Sequence, residues 1–352
     1  MSKKWVLTLG LIASSLLPAC TNHIKPEDDF LKTQMVFISS RSGDKDVYRS
    51  DMWGKNVHAL TNDPADDSAP SILPDGQIVF SSNRTGTWQL YKMDWDGTHV
   101  QALTSDLNIN SFAPYPAPGG RIVFVSDRPI QRLRHTYYDA NSNLVYKAYT
   151  HLYSILPDGT DLQQITGIHI NDRETFNDHP VVSEEGHIYF TSSRSSKWEV
   201  WKVLPDGSHP EQLTHLYHNV LEVAILPPHM PDGNKMTSEQ TTIARLGMTN
   251  WLPQTKIVYT IKSAENVYDI YRQNIDGSEP KRLTSQQFSR NRNPVVLPAG
   301  EILFTSDRNG NTDIWSMKPD GVEPRVVIDH PACDSTTGGD CYNLIATPPN
   351  IR

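Results

Sequence analysis

The sequence predicts an all-β protein, a six-bladed β-propeller of four-stranded antiparallel blades whose ring is closed by the C-terminal strand. Three markers that each recur six times, in step along the chain, predict it. The first is an aliphatic or Tyr residue followed by an aromatic: Val36-Phe37, Val79-Phe80, Val123-Phe124, Tyr189-Phe190, Val258-Tyr259 and Leu303-Phe304. The second is an aliphatic residue followed by Tyr or Trp: Val47-Tyr48, Leu90-Tyr91, Leu152-Tyr153, Val200-Trp201, Ile270-Tyr271 and Ile314-Trp315. The third is a turn, Trp53-Gly54, Asp96-Gly97, Asp158-Gly159, Asp206-Gly207, Asp276-Gly277 and Asp320-Gly321, usually followed by Leu-Thr or Ile-Thr.

Asp67 to Thr104 shows the unit most plainly. Ala69 to Leu73 reads as a strand, Pro74-Asp75-Gly76 as a tight turn and Ile78 to Ser81 as a second strand. After the polar loop Ser82 to Thr87, the segment Gln89 to Met93 alternates with the two-residue period of a strand. Asp96-Gly97 turns the chain again, and Val100 to Thr104 closes the unit. Four strands cannot bury both their faces alone, so the copies must stack on one another around an axis. Stacking covers the second strand on both sides, which explains its near-continuous apolar run.

The first blade begins at Met35 with the second-strand marker and has no inner strand of its own. Asn343 to Asn350 aligns with the inner strand and turn at Ala69 to Asp75, so the tail is expected to complete that blade and hide the open sheet edges. Two copies carry long insertions, 129–149 between the second and third strands of blade three and 227–253 in the first turn of blade five. Turns alternate between the two ends of a blade, so these insertions project from opposite faces. The first reads as an extra hairpin.

Ahead of the propeller, Lys3 and Lys4, the apolar run Trp5 to Leu17 and Leu17-Pro18-Ala19-Cys20 read as a secretory signal, since the run is shorter than the ~20 residues a bilayer requires. The pattern resembles a bacterial lipoprotein signal, in which cleavage precedes an acylated Cys20. Thr21, in place of Asp, resembles the outer-membrane sorting pattern. The expected organisation is therefore signal 1–19, lipidated N-terminus and polar tether 20–34, and propeller 35–352. Once Cys20 is acylated, Cys333 and Cys341 form an even pair in an exported protein and are expected to make a disulfide, worth roughly 2.5 kcal/mol for so short a loop.

The net charge of −8 disfavours nucleic acid as a partner, because phosphate binding needs a basic face. No Gly-x-Ser-x-Gly, His-Glu-x-x-His or phosphate-loop pattern is present. His179, His187, His209, His215, His218 and His229 are irregularly spaced and read as loop histidines; no cofactor or metal is expected. Ser39-Ser40-Arg41, Ser82-Asn83-Arg84, Ser126-Asp127-Arg128, Ser192-Ser193-Arg194 and Ser306-Asp307-Arg308 occupy one place in nearly every blade. A repeated element argues for a structural job, tying adjacent blades together, rather than for one anion site. The positions that differ between blades are the better candidates. These are the residues that lead into the inner strands at the channel mouth: Asp67 and Ser68, Ser111 and Phe112, Asp178 and His179, His218 and Asn219, Arg292 and Asn293, Tyr342 and Asn343. They read equally as a recognition surface or as a solvated funnel.

The run Ala-Pro-x-x-x-Pro-Asp-Gly, apolar-Phe-Ser-Ser-x-Arg-x-Gly, aliphatic-Tyr/Trp, Asp-Gly, Leu-Thr resembles the TolB-type WD-like propeller repeat, most clearly at Asp67 to Thr104 and Arg292 to Val327. The resemblance implies an envelope protein that binds other proteins. TolB itself is a soluble periplasmic protein of the Tol-Pal system with an α/β domain before its propeller, and here a lipid anchor stands in that domain's place. The expectation is thus a non-enzymatic, lipid-anchored scaffold, held at the outer membrane and facing the periplasm, whose partners are envelope proteins. Similar repeats occur in oligogalacturonide lyases and in the gating propellers of prolyl oligopeptidases. The alternative is accordingly a carbohydrate-active or glycan-binding propeller with a divalent metal at the channel mouth near His179 and His218.

Overall fold

Across the described residues, the short apolar runs separated by Gly-bearing turns fold into strands only. The computed structural model describes residues 34–128, 136–138, 144–146, 149–167, 174–227, 255–285, 289–297, 300–329 and 345–346. Blade one contains β1 (Gln34–Ser39), β2 (Asp46–Asp51) and β3 (His58–Ala59); blade two contains β4 (Asp67–Ile72), β5 (Ile78–Ser82), β6 (Gln89–Met93) and β7 (Gln101–Ala102). Blade three runs through β8 (Ser111–Pro116) and β9 (Ile122–Ser126), then the hairpin β10 (Thr136–Tyr138) and β11 (Leu144–Tyr146), then β12 (His151–Ile155) and β13 (Gln163–Gln164). That hairpin is the extra one expected of the insertion.

Blade four is β14 (Asn177–Val182), β15 (Ile188–Ser192), β16 (Glu199–Val203) and β17 (Glu211–Gln212). Blade five is β18 (Asn219–Leu226), β19 (Lys256–Ala264), β20 (Val267–Asn274) and β21 (Lys281–Arg282). Blade six is β22 (Asn291–Val296), β23 (Ile302–Ser306), β24 (Asp313–Met317) and β25 (Arg325–Ile328). The last strand, β26 (Ile345–Ala346), returns to blade one and pairs antiparallel with β1, Val36 opposite Ala346 and Phe37 opposite Ile345. The inner strands β26, β4, β8, β14, β18 and β22 each touch the next, and β22 touches β26, so the ring is closed.

One apolar cluster sits at each junction between blades. Phe80 and Ile78 of blade two pack with Val36, Ile38 and Val47 of blade one, for example, while Met35 and Phe37 pack with Leu303 and Ile314 across the closing seam. The first-marker aromatics Phe37, Phe80, Phe124, Phe190, Tyr259 and Phe304 are all fully buried. Each such side chain contributes about 1.5–3 kcal/mol through the area it removes from water.

The polar repeat residues serve as pins. The Thr of Leu-Thr lies just beyond the fourth strand and accepts a hydrogen bond from a third-strand N–H, as Val47 to Thr61 at 2.8 Å and Leu90 to Thr104 at 2.9 Å. The Ser-x-Arg arginines stack on their own blade's aromatics, Arg308 lying 4.5 Å from the Trp315 ring and Arg84 4.7 Å from that of Tyr91. They also reach the head of their own inner strand: Arg84 Nη2 to Asp67 at 3.3 Å, Arg308 Nη2 to Asn291 at 2.8 Å. The role is structural, but the tie runs within a blade rather than between blades, because the loop folds back over its own aromatic pair.

Candidate site on the channel wall

Inner strands wall the channel, and their sequence decides what it presents. In β4, β8, β14, β18 and β22 the register slips after the second residue, which marks a bulge. Four of these strands fill the bulge with a left-handed residue before proline: Ala69-Pro70, Ala113-Pro114, His179-Pro180 and Asn293-Pro294, with φ between 49 and 53°. Blade five breaks the rule. Its register slips between Val220 and Val223, and with Ala224 opposite Val258 as Ser71 is opposite Val79, Glu222 stands where the others have the left-handed residue and Val223 where they have proline.

That substitution makes a cross-blade pair. Glu222 is only 3% exposed, and its Oε1 accepts from Arg292 Nε at 3.0 Å and Nη2 at 2.7 Å, Arg292 belonging to the inner strand of blade six. The guanidinium lies 5.1 Å from the ring centre of Tyr268. Glu222 Oε2 is buried and has no hydrogen-bond partner among the described residues. A buried carboxylate oxygen without a donor is costly.

The residues picked from sequence fall into three groups. Asp67 and Ser111 are wholly buried at the heads of their strands, Asp67 held by Arg84 and Ser111 with its N–H on the Trp88 carbonyl. Burial pushes the Asp67 carboxyl above its usual range, against the opposing pull of Ser82, Thr61 and Arg84. Phe112 packs into the cluster between blades three and four, Asn293 is buried with Nδ2 3.3 Å from Thr305 Oγ1, and Ser68 is half-buried. Half-buried Asp178 and His179 lie together on blade four, with the His179 N–H donated to Asp178 Oδ1 at 2.7 Å, next to the blade that carries Glu222. By register Val220 is the blade-five counterpart of Asn177 and Leu221 that of Asp178, so exposed His218 precedes the inner strand, and exposed Asn219 accepts from the Trp198 N–H at 3.2 Å. Tyr342, Asn343, Cys20, Cys333 and Cys341 lie outside the described residues.

The channel wall is therefore lopsided. Blades four to six have Asp178, His179, Glu222 and Arg292, whereas blades two and three have Ser68, Ala69, Phe112 and Ala113 at the matching places. Among the described residues no three His, Cys, Asp or Glu side chains gather to hold a metal ion.

Residues 32–159 match the protein family described as the TolB beta propeller domain. The repeats in that stretch are similar to TolB propeller repeats. A "Protein TolB homolog" of Chlorobium chlorochromatii is 48% identical over 44 residues, which are 12% of this chain and 10% of that protein. An uncharacterized protein of Agrobacterium fabrum is 35% identical over 80 residues, 22% of this chain and 27% of its own length. The chain thus aligns with only about a tenth to a quarter of the curated relatives it matches. The solved structure of TolB from Acinetobacter baumannii superposes with a TM-score of 0.62 at 14% identity, over 91% of this chain and 68% of that one, a likeness of fold.

Within this TolB-like propeller, Glu222 is the site residue that residue-type searching misses. It lies outside every acidic or histidine cluster, and the signal beside it is Val223, which stands where the other inner strands have proline.

Proposed function

We propose that this chain is a lipid-anchored envelope protein whose propeller binds another protein at the channel wall formed by blades four to six. The observation that carries the reading is the Arg292–Glu222 pair, whose buried Oε2 offers an unused acceptor to an incoming N–H or ammonium group. TolB-like propellers generally bind other proteins and act in the envelope without catalysis, and the TolB-type repeats support the same assignment here. The signal at 1–19, acylation of Cys20, outer-membrane residence facing the periplasm and a Cys333–Cys341 disulfide complete the proposal.

A photo-crosslinking side chain at Asp178, used in intact envelopes, is expected to give one discrete protein adduct. Arg292→Ala, which strips Glu222 of its partner, should abolish it. If the adduct pattern is diffuse, or unchanged by Arg292→Ala, the channel-wall reading is wrong. The anchor is tested separately, by the mass of the mature N-terminal peptide and by loss of the added lipid in Cys20→Ser.

A further inference from the structure

We propose that the rim where blades one and six meet is a membrane-contact patch that rests on a phospholipid surface through Trp53, Val322 and Val326. The proposal rests on the anchoring of Cys20 put forward above.

The first observation is a broken repeat. In five blades the turn between the third and fourth strands places Asp before Gly, and that carboxylate caps the turn by accepting the N–H two residues on. Examples are Asp96 from Thr98 at 3.0 Å, Asp158 from Thr160 at 2.9 Å and Asp206 from Ser208 at 2.9 Å. Blade one has Trp53 at this place, 64% exposed. Its turn keeps a cap by moving it to Asp51, whose Oδ1 accepts from the Trp53 N–H at 3.0 Å and the Lys55 N–H at 2.8 Å. The indole is needed neither by the turn nor by the core.

The second observation is where the chain comes in. Gln34, the first residue of β1, pairs opposite Asp51, two residues before Trp53. The stretch 20–33 spans at most about 50 Å even when fully extended. An acylated Cys20 therefore holds this rim close to the bilayer at high effective concentration.

The third is what surrounds the indole. Gly54 has φ +74°, and a Cβ there would collide with the Val327 carbonyl oxygen, so the turn lies flush on β25. That sets the turn bearing Trp53 against β25, the strand that carries exposed Val326; exposed Val322 belongs to the blade-six turn on the same face, and exposed Lys55 adds a positive charge. Trp is the side chain that settles at the headgroup level, and lysine is attracted to anionic headgroups. Farther round the same face, Asp96, Asp158, Asp206 and Asp276 are held below the usual carboxyl range by their Thr and Ser partners and stay charged. An anionic surface repels them and favours contact through the seam.

The test uses the full acylated chain in vesicles of phosphatidylethanolamine and phosphatidylglycerol with brominated acyl chains, which quench tryptophan on contact. The wild type is expected to be quenched and Trp53→Asp to lose most of that quenching. Asp is the residue the other five blades use there, so its melting temperature should match the wild type. Trp88→Phe, on the opposite face, should leave the quenching unchanged. Equal quenching in wild type and Trp53→Asp overturns the proposal. So does a vesicle-free dimer by light scattering that Trp53→Asp dissolves, since the patch then belongs to a second copy. An unmodified Cys20 by mass spectrometry takes down the anchoring and this proposal together, whereas an acylated chain without quenching takes down the patch alone.

Discussion

Blades two and five share a topology but solve their interiors differently. In blade two, Phe80 and Met93 are both apolar and fully buried, and Arg84 stacks over Phe80 and Tyr91. In blade five the matching positions are Tyr259 and Gln273, joined by a 2.8 Å hydrogen bond, and Gln273 Nε2 donates to the Leu213 carbonyl of blade four at 2.8 Å. Blade five also lacks the Ser-x-Arg arginine and the inner-strand proline. The blade that departs most from the repeat is the one that contributes Glu222 to the channel wall. Relaxed repeat constraints and an asymmetric site coincide there.

The largest effect should come from the apolar version of this position. Phe80→Ala removes a fully buried ring from the junction with blade one and is expected to cost about 3–5 kcal/mol, read by denaturant unfolding. A loss under about 1 kcal/mol would mean that the junctions do not carry the stability assigned to them.

The polar version should respond less, and for another reason. Tyr259→Phe keeps the ring but leaves Gln273 Oε1 buried without its donor, at an expected cost of about 1–3 kcal/mol in the same assay. Replacing both, Tyr259→Phe with Gln273→Met, restores the blade-two pair and should recover part of the loss. If the double variant is worse than the single one, the Gln273 bond to blade four outweighs the tyrosine bond.

This contrast also explains how much could be read in the sequence. The blade count, the strand order and the closing strand were legible because three markers repeat, and a repeat converts weak local signals into a strong one. The structural role of the arginines was legible for the same reason. Their direction was not, since nothing in Ser82-Asn83-Arg84 says whether the side chain reaches across a junction or back to Asp67. Asp67, Ser111 and Asn293 differ between blades as site residues do, yet they are buried. Variation among copies tracks the local packing solution as well as ligand contact, and only burial separates the two. Glu222 was hidden from a search by residue type, and the signal beside it, Val223 in place of proline, shows only once the inner strands are aligned.

A gentler probe compares heads of inner strands. Blade two uses Asp67 where blades four and six use Asn177 and Asn291, whose Oδ1 faces Arg194 and Arg308 in the same way. The Asp67 carboxyl is raised by burial, so the folded state holds its proton more tightly than the unfolded chain does. Stability from this group is present below the unfolded value and is lost as pH rises through the raised folded one. Asp67→Asn should therefore unfold at higher denaturant than wild type at neutral pH, with the difference shrinking as pH falls below the ordinary carboxyl range. A constant difference across that range would show that Asp67 does not titrate in the folded protein.

The smallest effect belongs to the exposed turns, where blade one differs from the other five. Asp96 Oδ1 accepts both the Thr98 hydroxyl at 2.6 Å and the Thr98 N–H at 3.0 Å, and these bonds hold its carboxyl below the usual range, the hydroxyl contributing most. Thr98→Ala removes the hydroxyl and leaves the N–H bond, so the Asp96 titration followed by carboxyl NMR should move up toward the ordinary value. A depressed carboxyl contributes stability above its unfolded value that is lost as pH falls, so the variant should match wild type in strong acid and fall slightly short at neutral pH. The melting temperature should barely move, because a solvent-exposed turn held by its remaining backbone bond and by Gly97 keeps its shape. A large drop would instead mean that the cap carries folding energy. Trp53 could then occupy the same place in blade one only because Asp51 supplies that energy, and Asp51→Ala should prove as damaging as the loss of Asp96.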